Sequence, residues 1–124
     1  MGYPMRILIV EDDNTSRIIL EKFLGKYGKC ERALNGKAAV NKVQASYDSN
    51  DPYDVICLDI MMPLMDGQMT LKLIREIEDR LNIPREKRSK IIMTTSLSDS
   101  DNVTRAIFQY GADAYLVKPI ERQA

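Results

Sequence analysis

The sequence predicts an α/β fold in which an open parallel sheet is covered by helices on both faces. Five short apolar runs of strand length alternate along the chain with four segments whose apolar residues recur at helical spacing. Consecutive parallel strands need a crossover connection, and the helices between them provide it. A chain of 124 residues accommodates these elements around one core. We therefore expect a single domain over residues 1–124.

The first strand and helix are predicted from an apolar run that is followed by acidic residues. Residues 7–10 form an uninterrupted apolar segment, which is typical of a strand buried on both faces. Asp13 or Asn14 can cap the following helix, because short polar side chains accept hydrogen bonds from the free N–H groups of the first turn. The apolar stripe of this helix continues to Tyr27, and Gly28 is expected to end it.

The later elements follow from the same two patterns together with turn residues. Asn35 and Gly36 mark the turn before the second helix, the third helix follows Gly67, and Gly111 ends the fourth. The predicted elements are a strand over 30–34, a helix over 37–47, a strand over 55–59, a helix ending near 81, a strand over 91–94, a helix from 99 or 100 to 110, and a strand over 114–117.

The composition excludes several classes of function. Eighteen basic residues balance eighteen acidic ones, which leaves no general electrostatic footprint for nucleic acid or an anionic membrane. We therefore expect no direct nucleic-acid partner, and, since no long apolar span occurs, no membrane insertion. Cys30 and Cys57 lack the spacing of a zinc or redox motif and are expected to be reduced core thiols of a cytoplasmic protein. The absence of histidine excludes imidazole bases and histidine metal ligands.

Chemically active side chains collect at the carboxyl end of the predicted sheet, where ligands bind in folds of this class. The residues that follow strands there are Glu11, Asp12, Asp13, Asp59, Thr95 and Lys118. Each alone has a structural explanation as a helix cap, a turn residue or a surface lysine. Asp59 is the most informative, because a lone carboxylate at the end of a buried strand is unfavourable unless a cation or a reaction requires it. The combination therefore favours a functional site.

Taken together, these residues resemble the receiver domain of two-component response regulators. The resemblance is carried by Glu11, Asp12, Asp13, Asp59 with the loop motifs Met62-Pro63 and Asp66-Gly67, Thr95, and Tyr115 three residues before Lys118-Pro119. It covers residues 6–120, with the motifs in the order that the family has. The resemblance implies a flavodoxin-like doubly wound sheet with strand order 2-1-3-4-5, and a single-domain receiver of the chemotaxis type.

The resemblance also implies which residues carry out the chemistry. Asp59 would accept a phosphoryl group from the phosphohistidine of a sensor histidine kinase or a phosphotransfer protein. Mg²⁺ would be the cofactor, held by Glu11, Asp12 and Asp59 together with the main-chain carbonyl of Met61. Such a protein catalyses its own phosphorylation and slow dephosphorylation, so we expect no enzyme that turns over external substrates.

Three further residues take roles from the same resemblance. The Thr95 hydroxyl and the Lys118 ammonium would contact the phosphoryl group on Asp59. Tyr115 would be the switch residue that fills the space vacated when Thr95 moves inward. The phosphorylated form would thereby present a changed surface to a downstream protein target.

Elementary electrostatics supports this assignment. A carboxylate is ionised at neutral pH and needs no general base, so a protein without histidine can use one as a nucleophile. Two carboxylates about 5 Å apart repel each other by roughly 3 kcal/mol at an effective dielectric constant of 20. A divalent cation must therefore offset this repulsion before an anionic phosphodonor can approach. Oxygen ligands together with bound water favour Mg²⁺.

Three other functions share parts of the pattern. A Mg²⁺-dependent aspartyl phosphatase of the haloacid dehalogenase type would need a second aspartate two residues after Asp59, where the chain has Met61. A flavodoxin-like cofactor binder would need a glycine-rich or hydroxyl-rich phosphate loop where three acids stand. A degenerate receiver that acts only as an interaction module is the third alternative, and the complete set of site residues argues against it.

The chain departs from the receiver pattern near its C-terminus. Receivers usually have a fifth helix, but residues 119–124 suffice for about one turn. This helix would share a sheet face with the first helix, so its absence predicts exposed apolar surface beside Ile19 and Phe23. Ile18 lies off the buried stripe of the first helix and could belong to a kinase-docking surface. We nevertheless expect a homodimer that packs through the first helix and the exposed sheet face.

Overall fold

Five parallel strands form one sheet in the order β2-β1-β3-β4-β5. The structure is a computed structural model that describes residues 4–60, 65–95 and 110–117. The elements are β1 (Met5–Val10), α1 (Asn14–Leu24), β2 (Gly28–Ala33), α2 (Gly36–Asp48), β3 (Val55–Asp59), α3 (Gly67–Arg80), a 3-10 turn (Arg85–Lys87), β4 (Lys90–Thr95) and β5 (Ala114–Val117). The predicted α/β class and strand order are confirmed. The helix predicted to end at 110 and the segment after 117 lie outside the described residues.

Side-chain caps fix where the three described helices begin. Asp13, Asn35 and Asp66 each accept a hydrogen bond, of 2.8 or 2.9 Å, from the backbone N–H three residues further on. A cap of this kind stabilises a helix by about 1 kcal/mol. Of the two caps that the sequence allowed for α1, the structure has Asp13. The turn between β1 and α1 is therefore very short and holds, besides the cap, two acidic residues at the edge of the sheet.

The predicted end of the first helix is wrong. The structure ends α1 at Leu24 and caps it with Gly25, so that Tyr27 is exposed and not on the buried stripe. Gly28 is the first residue of β2 and does not stop the helix. A side chain at Gly28 would overlap the backbone of Met5, which pairs with it in β1. The glycine is needed for this close approach between two strands, which a helical pattern cannot reveal.

The sheet is covered on its two faces by different helices. The larger core lies between the sheet and helices α2 and α3, and the smaller one lies under α1. The larger core contains Leu8, Val10, Ala39, Val43, Ile56, Leu58, Leu71, Ile74, Ile91 and Met93. The smaller core contains Ile7, Ile9, Leu20 and Cys57. Since side chains alternate along a strand, odd-numbered residues of β1 and β3 face α1.

Both cysteines are free, as the sequence predicts. Cys57 is buried in the core under α1, and Cys30 is half-buried beside it. Burial raises the pKa of the Cys57 thiol to about 12. This group therefore remains a protonated thiol and behaves as a small apolar core residue. Within the described ranges, no helix combines the length and the hydropathy needed to span a bilayer.

A charged cluster joins β1, β2 and the loop before β3 at the amino end of the sheet. The Arg6 guanidinium donates to Glu31 Oε2 at 2.6 Å and lies 4.4 Å from the centre of the Tyr53 ring. The Tyr53 hydroxyl donates to the other Glu31 oxygen at 3.0 Å. The hydrogen bond from Arg6 is the main cause that lowers the pKa of Glu31, with a smaller contribution from Tyr53.

This lowered pKa predicts how the stability of the protein depends on pH. A carboxyl group whose pKa falls on folding stabilises the protein above its unfolded pKa of about 4.3, and this stabilisation is lost as pH falls through the folded pKa. We expect Glu31→Gln to lower the free energy of unfolding by about 1 kcal/mol at neutral pH. The difference from the wild type should shrink below about pH 4, as measured by urea denaturation. Glu86→Gln, on the exposed 3-10 turn, is the control, and a deficit that is constant with pH would contradict the prediction.

Candidate metal centre

Three carboxylates meet at the carboxyl edge of the sheet. Ligand oxygens of Glu11, Asp12 and Asp59 all lie within 4.8 Å of one another. Glu11 is 0% exposed and Asp59 3% exposed, whereas Asp12 is exposed. The cluster therefore has two buried acids and a third that faces solvent. This is an open site at the rim of the sheet.

The two acids that follow β1 are positioned by strand pairing and by the cap of α1. The Glu11 N–H donates to the Ala33 carbonyl at 3.3 Å, which extends the pairing of β1 with β2 past Val10. Asp13 caps α1, and its own N–H donates to Glu11 Oε1 at 3.2 Å. The short turn thus directs the Glu11 side chain inward and leaves Asp12 at the surface.

Asp59 is held by the end of β3 and by the chain that leads into α3. It is the last residue of the strand, and the next N–H, that of Ile60, donates to the Thr94 carbonyl at 3.0 Å. The Gly67 N–H donates to the Ile60 carbonyl at 2.9 Å. A side chain at Gly67 would overlap the carbonyl of Asp59. Glycine here allows the N-terminus of α3 to lie directly against the residue that carries the carboxylate.

The cluster is chemically suited to a hard divalent cation. Its donors are carboxylate oxygens, which Mg²⁺ and Ca²⁺ prefer over nitrogen or sulfur. Without a cation, acids at this separation repel each other by roughly 3 kcal/mol per pair at an effective dielectric constant of 20. One exposed ligand also leaves room for water or a substrate oxygen at the ion. The residues present therefore fit a magnesium site.

The other predicted site residues are described in part. Thr95 is buried and ends β4, so it reaches the same edge of the sheet as the acids. Tyr115 lies in β5, exposed, and is paired with Met93. Lys118 and the carbonyl of Met61 lie outside the described residues. Sequence reasoning passed over Thr94, which pairs with Asp59 across β3 and β4, because only the register of the two strands reveals this neighbour.

Comparison with known proteins relates the chain to a single family. Residues 7–124 match the family described as the response regulator receiver domain. The hybrid signal transduction histidine kinase L of Dictyostelium discoideum is 36% identical to the chain over 118 residues. This alignment covers 94% of the chain and 7% of the kinase, so the chain spans a small fraction of the length of this relative.

Solved structures show the same fold. The receiver domain of the histidine kinase CKI1 from Arabidopsis thaliana, complexed with Mg²⁺, has a TM-score of 0.78 and 29% identity, covering 92% of this chain and 83% of that one. A chain of the CheX–CheY complex with BeF3 and Mg²⁺ from Borrelia burgdorferi has a TM-score of 0.77 and 30% identity, covering 97% and 82%. Because the family match spans nearly the whole chain and the fold agrees with it, the protein belongs to the response regulator receiver domains of two-component signalling.

Proposed function

We propose that the protein is a phosphoacceptor in which Asp59 receives a phosphoryl group in the presence of Mg²⁺. The observation that carries the proposal is the cluster of Glu11, Asp12 and Asp59, which places a cation-binding pair beside one further carboxylate at a strand end. Asp59 is buried and ends the central strand of the sheet, so its position is rigid. A rigid, ionised nucleophile beside a cation site is what phosphoryl transfer requires.

The transfer step needs no proton to be removed from the nucleophile. An Asp59 carboxylate oxygen forms a bond to phosphorus while the bond from phosphorus to the donor's imidazole nitrogen breaks. The electron pair of the broken bond stays on that nitrogen, and the product on this chain is an acyl phosphate. Positioning and charge stabilisation then determine the rate. A sensor histidine kinase or a phosphotransfer protein supplies such a phosphoimidazole.

The surrounding residues would bind Mg²⁺ and contact the phosphoryl group. Glu11, Asp12, Asp59 and the main-chain carbonyl of Met61 would hold Mg²⁺, which when bound neutralises charge on the acids and on the incoming phosphoryl oxygens. The Thr95 hydroxyl would donate to a phosphoryl oxygen at the end of β4. Lys118 would add a positive charge at the same edge. Each of these contacts stabilises the negative charge that the phosphoryl group brings.

The output of the proposed reaction is a changed protein surface. Thr95 and Tyr115 belong to neighbouring strands, β4 and β5, and Tyr115 is exposed. Movement of Thr95 toward a phosphoryl group would free space for the Tyr115 ring, which then leaves the surface. A downstream protein would bind the phosphorylated and unphosphorylated forms differently, because the contacts that the β5 surface offers have changed.

The first prediction from this proposal concerns metal binding. Mg²⁺ that binds only the folded protein raises its melting temperature. We expect Asp12→Asn to stabilise the metal-free protein, because it removes one repelling charge, and to weaken Mg²⁺ binding by roughly tenfold or more. Thermal denaturation with and without Mg²⁺ measures both effects. The control is Glu76→Gln, an exposed acid on α3, and a wild-type Mg²⁺ response in Asp12→Asn would refute the metal assignment.

The second prediction concerns the phosphoryl acceptor. Incubation with acetyl phosphate and Mg²⁺ should add the mass of one phosphoryl group to the intact protein, with acetate as the leaving group. The addition should be lost in Asp59→Asn and with a chelator, because both remove a reactant from the site. Asp48→Asn, on the exposed end of α2, should react like the wild type. Continuous phosphate release from many phosphoesters would instead identify a phosphatase.

The third prediction concerns assembly through α1. Ile18 is 45% exposed on this helix, as expected for a residue off its buried stripe. We propose that two copies pack through α1 and the neighbouring sheet face, so that Ile18→Glu shifts the protein to a monomer by placing charges in the contact. Light scattering at micromolar concentration measures this, with Lys72→Glu, exposed on α3 on the other face of the sheet, as the control. A monomeric wild type would overturn the proposed dimer.

A further inference from the structure

Thr94 carries a buried hydroxyl that the site described above does not use. The residue is 1% exposed in β4, and its Oγ1 atom has no hydrogen-bond partner among the described residues. A hydroxyl that is removed from water without a partner destabilises the folded state. Valine has nearly the same shape and would avoid this penalty. The hydroxyl therefore stands where a purely structural role would be better filled by an apolar side chain.

The position of Thr94 is defined by its pairing with Asp59. The two residues are register partners in parallel strands β4 and β3. Neighbouring strands lie about 4.8 Å apart, and paired residues direct their side chains to the same face. The row below them, Cys57 and Ile92, lies in the core under α1. Thr94 and Asp59 therefore form the last row of that face, at the carboxyl edge of the sheet.

Thr94 and Thr95 lie on opposite faces of the sheet. Thr95 continues the row of Ile91 and Met93, which belong to the core under α2 and α3. Thr94 continues the row of Ile92, which belongs to the core under α1. The two hydroxyls at the end of β4 thus lie on different sides of the sheet. Neither hydroxyl can therefore take the position of the other.

We propose that Thr94 is a positioning residue for the phosphorylated state, in which its hydroxyl donates a hydrogen bond to an oxygen of the phosphorylated Asp59 side chain. The inference rests on the proposed phosphoacceptor function. Phosphorylation adds oxygen acceptors and negative charge to the side chain beside Thr94. A hydrogen bond to an anionic acceptor is roughly twice as strong as one between neutral groups. The hydroxyl is thus unfavourable before phosphorylation and favourable after it, and Thr94 shifts the equilibrium toward the phosphorylated form.

The test uses Thr94→Val, which removes the hydroxyl and keeps the shape of the side chain. The melting temperature of the unphosphorylated variant should equal or exceed that of the wild type. Its phosphoryl group should be lost roughly fivefold faster after acetyl phosphate is removed in the presence of Mg²⁺, because a charge-assisted hydrogen bond is missing. Intact-protein mass spectra over time give the half-life. Thr94→Ser, which keeps a hydroxyl at this position, should retain most of the wild-type half-life.

A matched control separates this role from core packing. Thr70 is also a buried threonine, but its hydroxyl donates to the Asp66 carbonyl at 2.9 Å. Thr70→Val should therefore lower the melting temperature and leave the phosphoryl half-life unchanged. A wild-type half-life in Thr94→Val would overturn the role of Thr94 while Asp59 remains the acceptor. A wild-type protein that takes up no phosphoryl group would instead overturn the proposed function. Uptake by the wild type is therefore measured before any variant is compared with it.

Discussion

The acids at the carboxyl edge of the sheet repel one another, and the fold holds them together against this repulsion. Glu11, Asp12 and Asp59 have ligand oxygens within 4.8 Å of one another, and two of these acids are buried. Like charges this close would separate if they were carried on mobile loops. They stay together because Glu11 directly follows β1 and Asp59 ends β3, and both strands are central in a sheet that has apolar cores on its two faces. The core thereby stabilises a charge arrangement that a cation can relieve.

Close backbone packing transmits this rigidity to the loops around the site. Gly67 lets the start of α3 lie against the carbonyl of Asp59, and Gly36 lets the start of α2 lie against Thr70 of α3 and Met65. A side chain at either glycine would overlap its neighbour. The N-termini of α2 and α3 and the end of β3 are therefore packed as one unit. The described residues that flank positions 61–64 therefore belong to this packed unit.

Apolar runs and the residues that end them are local signals, and they were sufficient for the strands and for the acids at the edge of the sheet, whereas the strand order followed from the resemblance to receiver domains. Sequence reasoning failed where a contact between distant segments decides the outcome. Gly28 was read as a helix stop, yet it is required by the close approach of β2 to Met5 of β1. Thr94 went unnoticed for the same reason, since its importance depends on its pairing with Asp59. A shift of one residue in that register would exchange the faces of Thr94 and Thr95.

The alternation of faces along β4 has a consequence for how a signal can leave the site. Thr95 ends the row that packs under α2 and α3, whereas Thr94 ends the row that packs under α1. A phosphoryl group on Asp59 that accepts hydrogen bonds from both hydroxyls would therefore be coupled to both helical layers of the protein. The Thr95 side leads toward Tyr115 and the surface of β5, which is the surface proposed above to contact a downstream protein. The Thr94 side leads to the core beneath α1, the helix that carries exposed Ile18. The proposed phosphorylation of Asp59 would thus change both the surface of β5 and that of α1, because a close-packed core transmits displacements instead of absorbing them.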